Sequence, residues 1–216
     1  MNKFDFGYDR AQIENRNLRP YGFQPQPLGV LSDAVSTYQT LTLDYAGNYA
    51  IDVGRGLRTT VSWGGQGVTT DSRSTSAYDD NFPGPGNPVV GSGGDPLGQE
   101  SRQRVVNAGG FGQALLGLKD RYFLTLGLRI DGNSAFGKNL GLQEYPKAAF
   151  SWVASDEHWW PKAISVMKVR SAWGESGRAP GAFDAVRTWT NASAGGWAGN
   201  PAFIPLNVGN PDLGPE

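Results

Sequence analysis

The sequence contains no cysteine, two methionines and one histidine in 216 residues. Without thiols it has no disulfide framework, no thiolate metal site and no cysteine nucleophile. With His158 alone, any imidazole metal centre or Ser–His–Asp arrangement has a single place to be built. No run of 18 apolar residues occurs, so no transmembrane helix is expected. Charge is sparse: charged residues make up 18%, below the roughly 25% of ordinary soluble domains. With a net charge of −1, nothing in the overall charge suggests a nucleic-acid partner. The amino-terminal stretch "MNKFDFGYDRAQIENRN" has no apolar h-region, so no signal peptide is expected.

Glycine (31), proline (14) and aromatic residues (12%) are plentiful, an all-β composition with long irregular connections. The mean hydropathy of −0.41 is compatible with a membrane barrel, because lumen and loop residues dilute the lipid-facing ones. The clearest local signal is "RYFLTLGLRIDG", residues 121–132. Tyr122, Leu124, Leu126, Leu128 and Ile130 share one parity; Arg121, Phe123, Thr125, Gly127, Arg129 and Asp131 share the other. A strand places these sets on opposite faces. Arg121 to Asp131 spans eleven residues, nearer the roughly 9–11 of a tilted membrane strand than the about 5–6 of a soluble one.

The same alternation recurs. In "YQTLTLDYA", Leu41, Leu43 and Tyr45 oppose Thr40, Thr42 and Asp44. In "GLRTTVSWGG", Leu57, Val61 and Trp63 oppose Arg58, Thr60 and Ser62. In "RVVNAGGFGQALLGL", Asn107, Phe111 and Gln113 oppose Val106, Leu116 and Leu118. Phe150 and Trp152 oppose Lys147 and Ser151, and Met167, Val169 and Trp173 oppose Lys168 and Arg170. About six up-and-down strands are therefore expected, as part of a barrel with short turns at one end and long loops at the other. The expected layout is a loop over 1–37, a hairpin over 38–66, a long loop over 67–103, four strands over 104–175 and a long loop over 176–216. Aromatic residues gather near strand ends, as interfacial girdles do.

Several candidate sites weigh little. Asp156, Glu157 and His158 are sequence neighbours on a turn, and adjacent side chains diverge too much to chelate together. "DGNS" at 131–134 lacks the repeated acids of a calcium loop. "GSGGDPLG" has no lysine and no following helix, so it is not a phosphate loop. No catalytic, metal or cofactor site is expected, and the chain is not read as an enzyme.

"FGQALLGLKDRYFLTLGLRIDGNSAFG", "YPKAAFSWVASDEHW", "MKVRSAWGESGRAP" and "NPDLGPE" occur in the order and spacing of motifs in one family. Across roughly residues 104–216 the chain resembles SusC/RagA-like TonB-dependent outer-membrane transporters. The resemblance implies an all-β, antiparallel up-and-down transmembrane barrel segment, incomplete, with long extracellular loops and no plug domain; the family's barrels have about 22 strands. It implies location in the outer membrane of a Gram-negative cell and import of nutrients such as glycans or peptides. The partners it implies are outer-membrane lipid, the TonB complex acting through the plug region, and a SusD-like surface lipoprotein. In such a barrel Arg58, Arg129, Lys168 and Arg170 line the lumen, solvated or paired with plug or substrate. Trp189 and Trp197 lie in the last loop, where their rings suit stacking on sugars. The rival reading is a secreted β-sandwich carbohydrate-binding module, whose apolar faces would meet across a core.

Overall fold

A computed structural model describes residues 1–136, 141–161, 165–192 and 202–213. Nine strands are described: β1 (Asn2–Arg19), β2 (Val30–Gly54), β3 (Leu57–Asp80), β4 (Leu97–Leu118), β5 (Tyr122–Asn133), β6 (Gln143–Val153), β7 (Lys168–Gly174), β8 (Thr188–Ala192) and β9 (Ala202–Asn207). A single 3-10 turn, Ala154–Asp156, follows β6. Strands β1 to β7 form one sheet in strict sequence order, and β8 pairs with β9 in a separate antiparallel ladder. Among the described residues no helix is long and apolar enough to cross a membrane.

The all-β, sequential architecture agrees with the expectation from alternation; the extent of the strands does not. Residues 1–37, expected as a loop, hold all of β1 and the start of β2. Residues 67–103, expected as one long loop, hold the last part of β3 and the first part of β4, so the connection shrinks to residues 81–96. Residues 176–216 hold β8 and β9. Residues 68–80 and 98–103 carry no apolar row, and a strand without one gives no period-two hydrophobic signal; β1 does alternate at Phe4, Phe6 and Tyr8, a row that the loop reading passed over.

The chain divides into two units, the first made of Met1–Phe6, Thr42–Val68 and Val106–Glu216, the second of Gly7–Leu41 and Thr69–Val105. In the first unit the register preserves parity across four strands. Leu116, Leu124 and Phe150 are cross-strand neighbours, as are Ala114, Leu126, Ala148 and Trp173. The β4–β5 turn is tight: Lys119 and Asp120 both take positive φ, 53° and 55°, and the Arg121 N–H donates to Leu118 O at 3.1 Å. That is the geometry whose twist matches a hairpin. The Lys119 N–H donates to Gly56 O at 2.7 Å, tying this turn to the β2–β3 turn.

The apolar rows of this unit are not a core. Leu126 is 48% exposed, Phe150 43% and Trp173 58%. A β-sandwich would bury such rows between two sheets, so the rival reading is not favoured.

The second unit has a small satellite core, in which Val30, Leu31 and Phe82 are buried. The Phe82 N–H donates to Leu28 O at 2.9 Å, which joins the two connections of this unit. Asp79, fully buried, accepts the N–H groups of Gly91 and Gly93 on Oδ2, both at 2.8 Å. A Cβ on Gly93 would lie 2.0 Å from Asp80 O, so the backbone approaches too closely there for any side chain.

Candidate functional site

The face of the first unit opposite the apolar rows carries its charge. Phe111, Arg129 and Tyr145 are cross-strand neighbours on that face, followed one step along by Gln113, Gly127 and Lys147, and further on by Phe123, Ser151 and Arg170. Phe111, Arg129, Tyr145, Lys147 and Glu175 border a hollow of about 350 Å³. A second hollow of about 310 Å³ shares Arg129 and Tyr145 and adds Asn107, Asp131 and Asn133.

Two glycines make this ledge possible. Gly109 stands opposite Asp131 and Gly127 opposite Lys147. A Cβ on Gly109 would fall within bonding range of Asp131 Oδ1, and one on Gly127 would lie 2.6 Å from Lys147 Cε. Bare backbone at these positions lets the charged side chains lie across the neighbouring strand.

The charges are unevenly compensated. Arg129 Nε donates to both carboxylate oxygens of Asp131, at 2.9 and 2.7 Å. The Lys168 ammonium stands 5.5 Å from the centre of the Phe123 ring, within cation–π range. Among the described residues no carboxylate pairs with Lys147 or Arg170. The face therefore presents a positive ledge over β6 and β7.

The cations picked out from sequence fall into separate groups. Arg129 sits in the hollow with Tyr145 and Lys147. Lys168 and Arg170 follow along β7, opposite Val153 and Ser151. Arg58 stands apart at the turn end, 3.8 Å from Asp52 and 3.6 Å from Asp120. Trp189 lies on β8 opposite Pro205, half-exposed; Trp197 lies outside the described residues. Lys147, Tyr145 and Phe111 were not among the candidates, although their parity in "YPKAAF" and "GGFGQ" places them on the polar side.

At the opposite end of β6, Glu157 fastens the turn to an aromatic cluster. It accepts hydrogen bonds from the Tyr122 hydroxyl, from Trp152 Nε1 at 3.3 Å and from Arg121 Nη1 at 3.2 Å. The Tyr122 and Trp152 rings stack at 6.3 Å, and Trp159 and Trp160 continue the cluster. The Tyr122 hydrogen bond, then that of Trp152, hold the Glu157 carboxyl below its ordinary range against the opposing effect of burial, with Arg121 assisting. Among the described residues no group of three or more His, Cys, Asp or Glu side chains is placed to hold a metal.

The family described as "TonB dependent receptor-like, beta-barrel" matches residues 2–216. No curated protein matches the chain. Among solved structures, "the RagAB peptide transporter" superposes with a TM-score of 0.86 at 15% identity, covering 99% of this chain. The "RagAB peptide importer" in its 'open-open' state gives 0.86 at 16% identity over 100% of the chain, and in its 'closed-closed' state 0.87 at 14% over 99%. At such identities the likeness is one of fold. In each case the chain spans 24% of the length of the neighbour's chain.

Proposed function

Because the chain belongs to the TonB dependent receptor-like β-barrel family, we propose that it forms part of the wall and outer loops of a nutrient importer in a Gram-negative outer membrane. The observation that carries this is the two-sidedness of the first unit: exposed apolar rows on one face, a charged and hollowed ledge on the other. In water the apolar rows would be a liability. In lipid they are the favoured surface, and the ledge lines a wet lumen. The tight turns at 55–56 and 119–121 are then periplasmic and the connection 81–96 extracellular.

In this reading the cargo is a large nutrient, a glycan or peptide, and the energy comes from TonB acting through a plug that fills the barrel. Arg129, Lys168 and Arg170 face plug or cargo, Arg58 the periplasmic rim, and Trp189 and Trp197 the cargo side. A SusD-like surface lipoprotein covers the outer mouth. The chain carries out no chemistry of its own. The test is a deletion of the whole gene, followed by growth on a panel of peptides and glycans as sole nutrient. The expected result is loss of growth on one class, restored by the intact gene and not in a strain lacking TonB. Undiminished growth on every member of the panel overturns the reading.

A further inference from the structure

The second unit holds a hollow of a different character. Asn15, Asn17 and Arg19 from β1, Ser32 from β2, Gln26 from the connection and Tyr78 from β3 line about 330 Å³ over a floor of Val30 and Ala34. Three side-chain amides, a hydroxyl, a phenol and a guanidinium meet there, with no carboxylate in the lining.

The existing hydrogen bonds decide which groups remain for a ligand. Arg19 Nη1 donates to Gln26 Oε1 at 3.1 Å, which uses the Gln26 acceptor and leaves its two N–H donors. The Arg19 guanidinium carbon stands 5.8 Å from the Phe23 ring centre, which braces the side chain without consuming its remaining N–H groups. The Tyr78 hydroxyl donates to Asp80 Oδ2 at 2.9 Å, so towards the hollow its oxygen only accepts. The lining thus offers more donors than acceptors and is singly positive.

We propose that this hollow binds the carboxylate-bearing end of an extended peptide. Arg19 takes the carboxylate, where paired N–H donors match its two oxygens. Asn15, Asn17 and Gln26 meet the main-chain amides, which offer one acceptor and one donor per residue. A neutral glycan has no anion for Arg19, and Tyr78 is the lone aromatic ring in the lining. The proposal rests on the import reading and names the cargo class for it.

The test uses the full-length protein in detergent and three probes: dansyl-labelled hexa-alanine with a free carboxylate, the same peptide as its carboxamide, and maltohexaose. The free acid is expected to bind about tenfold more tightly than the carboxamide, the loss of one charge-assisted hydrogen bond. Arg19→Gln is expected to abolish that preference, so that acid and carboxamide bind alike, and an unchanged far-UV circular dichroism spectrum shows that the variant is folded. Asn17→Ala is expected to weaken both peptides equally. Equal binding of acid and carboxamide overturns the proposal. So does a preference that survives Arg19→Gln, the absence of peptide binding, or binding of maltohexaose that Asn17→Ala weakens. Uptake of the free-acid peptide by whole cells separates the two levels. Uptake that needs the gene but is indifferent to Arg19→Gln leaves import standing and removes this site. Uptake that does not need the gene removes the import reading itself.

Discussion

Strands β3 and β4 carry one kind of surface in the first unit and another in the second. In the first, the exposed side chains include Val61, Trp63, Leu115 and Leu118. In the second, Leu97 apart, the exposed positions are small or polar, among them Arg73, Thr75, Glu100, Arg102 and Arg104, with Arg73 2.9 Å from Glu100 and Arg104 2.6 Å from Asp71. The backbone is an extended strand in both. Length tells the same story: β5 and β6, wholly within the first unit, have 12 and 11 residues, close to the roughly 9–11 that cross a bilayer. β2 and β3 have 25 and 24, about twice that need. Strand length and hydrophobic length are separate quantities, and in the proposed barrel the excess strand is polar because it stands in water beyond the bilayer.

The strongest way to break this comparison is a charge on each outer row. In the full-length protein in lipid, Leu126→Arg is expected to cost roughly 2–4 kcal/mol, the cost of arginine near the bilayer midplane. Thr125→Arg, one residue along and on the charged face, is expected to cost far less. Thr75→Arg in the second unit is expected to stay within about 0.5 kcal/mol, as an ordinary surface change does. Urea unfolding of the three variants in liposomes measures this. Equal costs at 126 and 75 would mean that both regions share one solvent.

The second unit, whose apolar core is limited to Val30, Leu31 and Phe82, also leans on close backbone packing at its connection. Gly93→Ala places a methyl against Asp80 O, where the ideal position is 2.0 Å away, and disturbs the N–H that Gly93 gives to Asp79. The expected loss is about 1–3 kcal/mol, in the range of overpacking. Gly84→Ala, with open space around it, is the control. Limited proteolysis of the 81–96 connection reads the effect: faster cleavage for Gly93→Ala alone is expected, and equal rates would remove the role of this packing.

The difference between the regions also explains what the sequence reveals. Alternation located β5, β6 and β7 and assigned Leu126, Phe150 and Trp173 to one face and Arg129, Lys147 and Arg170 to the other, as the register has them. It did so because these strands carry an unbroken apolar row, as a lipid-facing strand of the proposed barrel requires. "TTDSRSTSAYDD" and "GQESRQR" have no such row, and the first is half Ser and Asp, so they read as loop although they are strand. The hollow of Asn15, Asn17, Arg19 and Tyr78 was illegible for the same reason, since it needs β1 to be recognised and brought together with β3. The glycines at 109 and 127 needed the register, because only the cross-strand partner shows why a side chain is excluded.

A pH experiment sharpens the picture at the turn end of the first unit. The folded pKa of Glu157 is lowered from its ordinary 4.5, so the carboxylate contributes stability above that value. That contribution fades as pH falls below about 4.5 and is gone once the lowered folded value is passed. Hydrogen exchange over residues 154–161, corrected for intrinsic rates, is expected to quicken on acidification through that window. Glu157→Gln is expected to exchange faster at pH 7 and to respond little to acid. A variant with the wild-type acid response would show that another group governs the turn.

The smallest expected effect separates the ion pairs of the two regions. Arg104 and Asp71 share two contacts, 2.6 and 3.1 Å, with side chains 69% and 35% exposed. Exposed pairs lose most of their attraction to solvent and to the entropy of holding two long side chains. Arg129 and Asp131 are less exposed, at 42% and 26%, on a face that the lumen encloses in the proposed barrel. A double-mutant cycle with Arg104→Gln and Asp71→Asn, against one with Arg129→Gln and Asp131→Asn, isolates each coupling. Screening reaches about 30 Å at 0.01 M salt and about 3 Å at 1 M. The 104–71 coupling is therefore expected to be detectable only at low salt, and the 129–131 coupling to persist at high salt. If both couplings vanish together as salt rises, the charged face of the first unit is as open to bulk water as the second, and the ledge around Arg129 is no enclosed lumen.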